Sequence, residues 1–243
     1  MGLHPRLPSF RHSVADAVTP REVKRDGRAG NSMRKLVAIT NLRAAVVGGI
    51  LLTAACTPYL LGKSPDPTLA AWRVGLLLPV ATALLLMAIA WTHFLPQGDA
   101  ASAVRPFLLL LFVGTVLEAL HSLLIAPMLA ALRPDYYAST LTGWIVELPW
   151  LAVFQPLVLV AGVYAVVFRL SRRAGVAIAA VVLVRQLAAW NQWQDSLGTL
   201  QIILVLVMAG AQGLLLGVAY RRLGFPMLVV LGVLTALRGV ARL

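Results

Sequence analysis

The chain has 243 residues, 60% of them hydrophobic and 12% charged, with a net charge of +12 and a mean hydropathy of +0.84. That balance excludes an ordinary soluble domain, in which about a quarter of the residues are charged. The positive charge does not point to nucleic acid either, because it sits in an N-terminal stretch and in short loops between apolar runs.

Residues 1–43 carry nine Lys/Arg and segments such as "HPRLPSFRH" and "TPREVKRDGRAGNS". They show no sustained helical periodicity and predict a basic, disordered tail that touches anionic lipid weakly. Met33 offers a second possible start. Residues 44–243 form the transmembrane helical domain. Runs long enough to cross a bilayer core, roughly 17–25 residues, fall at about 44–62, 70–94, 106–132, 144–168, 174–190, 197–220 and 223–238. The expected fold is therefore all-α, a polytopic transmembrane helix bundle of six spans and a shorter seventh segment. That last run, "FPMLVVLGVLTALRG", leaves a full crossing, a tilted one and a re-entrant one open.

With the N-terminus inside, Arg105, the Arg169/Arg172/Arg173 group and Arg221/Arg222 join the tail on the cytoplasmic face. Lys63, Arg73, Arg133, Arg238 and Arg242 fall outside, which is the asymmetry of the positive-inside rule. Tyr59, Trp72, Tyr136, Tyr137, Trp144, Trp150, Trp190 and Trp193 gather near the outer ends, where amphipathic rings favour the interface. Membrane lipids are the expected surroundings, and no nucleic-acid partner is expected. The single Cys56 excludes an internal disulfide and a multi-thiolate metal site.

The loops leave no room for a soluble domain, so chemistry must lie within the bilayer or at its surface. In the sixth span Ala209, Gly213 and Gly217 recur every four residues, placing small side chains on one face for close helix approach. Pro127 in the third span, and Pro149 and Pro156 in the fourth, each remove a backbone donor and are expected to kink their helices.

"GTVLEALHSLLIAPM", residues 114–128, sets Glu118 and His121 in an otherwise apolar run. Three apart, they share a helix face. Exposing a charged group there to lipid costs on the order of 2.5–3.5 kcal/mol, so the face turns inward. A hydrogen-bonded structural pair and a proton- or ligand-handling site are both open. Metal binding at Glu118 and His121 is a weaker option, because the Glu-x-x-His spacing of di-metal bundles occurs here once instead of twice. Glu147 near the outer end of the fourth span and Arg185 in the fifth complete the binding candidates, and they could form an ion pair. No cofactor is expected. Nothing supplies a late-span lysine for retinal, a glycine-rich serine turn, a phosphate-cradling loop or an Asp-rich diphosphate motif.

From about residue 144 onward, "FRLSRRAGVAIAAVVLVRQLAAWNQW" (168–193) and "GLLLGVAYRRLGFP" (213–226) resemble the CAAX-type and bacteriocin-processing (CPBP) family of intramembrane proteases. The resemblance implies a Glu-Glu pair upstream of the basic turn, where Val158 and Leu159 stand. It also implies a His near Trp190–Asn191, and a His and an Asn near Leu231 and Thr235, and none of these is present. Without them nothing would bind the metal or activate water. The expectation is a non-proteolytic relative in a bacterial inner membrane, with a binding or accessory role toward a protein partner or lipid-like ligand. Two other classes stay open: a small proton-linked transporter using Glu118 and His121, and an enzyme acting on a lipid or isoprenoid through Glu118, His121 and Glu147.

Overall fold

The structure, a computed structural model, describes residues 20–62, 66–94, 100–132 and 140–240. Lys63, Arg133, Tyr136, Tyr137, Arg242 and the tail before Pro20 lie outside them. Among the described residues every regular element is a helix. Two compact units are distinguished, Met1–Thr40 and Asn41–Leu243. The first helix has the bounds Pro20–Gly62. Proline is well placed as the first helical residue, and the Arg, Lys and Glu that follow are good helix formers.

Six helices are long and apolar enough to cross a membrane: Thr40–Gly62, Ala71–Trp91, Ala103–Leu132, Leu141–Ser171, Ala174–Trp193 and Thr199–Leu223. They are the first to sixth spans below. The final helix, Phe225–Val240, has a shorter apolar stretch, Phe225–Leu237. At 1.5 Å per residue it reaches only about 20 Å, short of a hydrocarbon core of about 30 Å.

The ends of these helices follow their local sequence. Asp66 precedes Pro67, and its carboxylate accepts the Thr68 N–H at 2.8 Å, an N-cap before an N1 proline. Thr140 caps the fourth span by accepting the Gly143 N–H at 3.1 Å. Between the sixth span and the final helix, Gly224 turns the chain at φ 72°, a region glycine enters without a side-chain penalty.

Half of the sixth span's apolar window is buried in the bundle, against 17% for the fifth. The sixth and fourth spans are thus the inner helices, and the fifth faces outward. In lipid, burying apolar surface between helices gains little, because the tails are as apolar as leucine, so close backbone approach matters more. The glycines show where it occurs. A Cβ on Gly213 would stand 3.0 Å from the Val182 Cα, and one on Gly217 would stand 3.3 Å from Ile178, so the small-residue stripe packs the sixth span onto the fifth.

Pro127 and Pro156 widen their helices rather than break them, whereas Pro149 ends an ordinary α-helical stretch, Leu141–Pro149. Pro156 gives the Ala152 carbonyl no N–H, and the turn before it, Trp150–Phe154, is π-helical, with the Gln155 N–H reaching the Trp150 carbonyl. The final helix docks at this point, where any Cβ on Gly232 would collide with the Ala152 carbonyl. In the third span the π-turn His121–Ile125 likewise precedes Pro127, and the Ala126 N–H reaches the His121 carbonyl.

The aromatics that the sequence places near the outer ends divide. Trp72 and Trp190 are exposed, as interfacial rings are. Trp193, read from the sequence as interfacial, is instead buried against Ile125, Leu129 and Ile202, because the third and sixth spans close over it. Tyr59 stacks on Trp150 at 5.3 Å.

Candidate functional site

Glu118 is 9% exposed and Gln212 is 8% exposed. One Glu118 oxygen, Oε1, accepts the Gln212 amide at 3.1 Å and the Thr235 hydroxyl at 2.9 Å. The opposite end of the same amide, Gln212 Oε1, accepts Arg185 Nη2 at 3.1 Å. The third, fifth and sixth spans and the final helix therefore meet at one polar junction. A glutamine can bridge the two charges because it carries a donor for the carboxylate and an acceptor for the guanidinium.

Depth makes the meeting possible. Arg185, Gln212 and Thr235 each lie about ten or eleven residues, roughly 16 Å, from the end of their helix nearest Arg172 and Arg221. Three helices thus deliver polar groups to one level, near the middle of a hydrocarbon core of about 30 Å.

Glycines make the room. A Cβ on Gly213 would stand 3.3 Å from the Arg185 Cγ, and one on Gly210 would stand 2.8 Å from Gln186 Nε2. The stems of Arg185 and Gln186 occupy the space two absent side chains leave, and Gln186 Nε2 donates to the Leu206 carbonyl at 3.3 Å. Packing and polarity share one helix face.

His121 lies one turn beyond Glu118, half-buried, as the first residue of the π-turn. Its Nδ1 is buried, as is the second Glu118 oxygen. Thr115, on the same face in sequence, turns its hydroxyl onto the Leu111 carbonyl at 2.9 Å. Glu147 is half-buried in the fourth span, where its carbonyl accepts the Trp150 N–H. The structure joins Glu118 to Arg185 through Gln212. Among the described residues no group of three or more His, Cys, Asp or Glu side chains is placed to hold a metal ion.

Gln212 was missed in the sequence, and Thr235 drew notice only as a place where a catalytic residue is lacking. A ranking by charge passes over neutral amides and hydroxyls. The signal that reaches them is equal depth: a polar side chain about eleven residues from the basic end, in several apolar helices at once.

No protein-family model, no curated protein and no solved structure matches the chain. Fold and site define a multi-pass helical membrane protein with a buried polar junction.

Proposed function

We propose that this is a multi-pass protein of a bacterial inner membrane, its N-terminus in the cytoplasm, that keeps a protease-like helical scaffold without proteolytic chemistry and serves in a binding or accessory role. The observation that carries this reading is the junction at Glu118. Opposite charges linked through an amide, and tied to four helices, favour a bundle that stays assembled in one arrangement. A carrier that alternates access would have to part these groups in lipid, where a charge left alone costs several kcal/mol.

Where the family resemblance implies a His and an Asn, the last helix has Leu231 and Thr235 instead, and Thr235 closes the network at Glu118. Val158, where the resemblance implies a glutamate, packs against the apolar core. A buried carboxylate and imidazole one turn apart support a second reading, proton-linked transport.

Proteoliposomes loaded with a pH-sensitive dye separate the two. The accessory reading expects no protein-dependent proton flux, and a loss of thermal stability in Glu118→Gln of similar size from about pH 5 to 8. A flux abolished in a well-folded Glu118→Gln would replace it with transport.

A further inference from the structure

At the end of the bundle opposite the Tyr59–Trp150 stack, three spans are clamped by rings. Trp91 lies 4.9 Å from Phe168 and 6.0 Å from Tyr220, and Tyr164 meets Tyr220 at 5.4 Å. The Trp91 indole donates to the Tyr220 carbonyl at 3.1 Å. Tyr164 and Tyr220 are fully buried.

Each clamp is followed by an arginine: Arg169 after Phe168, and Arg221 with Arg222 after Tyr220. Consecutive helical side chains point about 100° apart. The buried rings therefore fix the backbone from which Arg169 and Arg221 emerge, and both are exposed. Arg172 and Arg173 join them from the turn after the fourth span. The Ser171 hydroxyl donates to the Val167 carbonyl at 2.8 Å and accepts the Arg173 N–H at 3.2 Å, which pins that turn. Segments 163–179 and 214–230 contain no Asp or Glu. Asp99 lies outside the described residues.

Arg172 adds an independent observation. It has φ 57° and is the one non-glycine residue with positive φ among the described residues. Glycine is the usual occupant of such a helix-ending position. Topology alone does not need this charge here, because Arg169 and Arg173 already supply it. A strained residue is a reasonable pointer to function.

We propose that Arg169, Arg172, Arg173, Arg221 and Arg222 form a binding site for the phosphate headgroup of an anionic phospholipid. The guanidinium fork matches phosphate oxygens in pairs, and basic clusters between helices at a membrane surface suit such headgroups. The acyl chains would lie along the exposed apolar flanks of the fourth and fifth spans, among them Leu170 and Val176.

The test is thermal unfolding of the purified chain in nanodiscs of phosphatidylcholine, with and without phosphatidylglycerol. Phosphatidylglycerol is expected to raise the melting temperature by about 3 °C or more, and the rise should shrink as NaCl screens the contact. Arg169→Gln/Arg221→Gln should lose most of the rise, whereas Arg73→Gln, at the other end, should keep it. Arg172→Gly should melt higher than wild type in phosphatidylcholine yet gain less from phosphatidylglycerol, a combination misfolding cannot produce. Equal rises in the Arg73 and Arg169/Arg221 variants, a rise insensitive to salt, or the same rise from inorganic phosphate alone would overturn the proposal.

Discussion

Thr235 donates its hydroxyl to Glu118 at 2.9 Å across 117 positions of sequence. That bond ties a helix too short to cross the bilayer alone to one that crosses it fully. Thr235→Val keeps the shape and removes the donor. A hydrogen bond to a charged acceptor contributes about 1.5–3 kcal/mol, so the variant should lose stability in that range. Thr235→Ser should retain most of it, as read by thermal unfolding in detergent.

Gln212→Leu removes the bridge while leaving Glu118 and Arg185 buried or half-buried. Parting such a pair costs about 3–5 kcal/mol, and this should be among the most damaging single changes in the bundle. Glu118→Gln and Arg185→Gln should be strongly non-additive in a double-mutant cycle, with a coupling of about 0.5–3 kcal/mol. A coupling near zero would show that the amide does not link them.

Gly232→Ala places a methyl against the Ala152 carbonyl, and neither backbone can turn aside as a flexible side chain would. Overpacking of this kind costs about 1–3 kcal/mol. Gly75→Ala is the control, because a Cβ there meets nothing within 4 Å. It should be neutral or better in the same unfolding assay.

The Trp144 indole donates to the Ala236 carbonyl at 2.7 Å, receiving a carbonyl near the end of the final helix. Trp144→Phe keeps an aromatic, though smaller, ring and removes the donor, whose loss costs about 0.5–1.5 kcal/mol. Hydrogen exchange should quicken in the last turns of that helix and stay unchanged in the sixth span.

The spans were legible because crossing a bilayer demands a length that apolar runs record directly. Glu118 was legible for a related reason: a carboxylate in such a run must be turned inward. Its partners were not. Nothing local to Arg185 says that it meets Gln212; that depends on how the fifth and sixth spans pack, which Gly210 and Gly213 govern. The widened turns before Pro127 and Pro156 were half-legible, since a missing donor can be counted but the carbonyl it releases finds its neighbour only in three dimensions. At Trp193 an interfacial residue type was overruled by burial.

The final helix is the last of the described helices to leave the ribosome, and its anchors all lie behind it: Glu118 in the third span, Trp144 and Ala152 in the fourth. The final helix also packs on the sixth span, its neighbour in the chain, but these three anchors come from more distant spans. Its full docking needs both the third and the fourth spans in place, so it closes the assembly rather than seeding it. The last step of folding is thus one in which a short segment supplies the final member, Thr235, of a junction whose other members come from earlier spans.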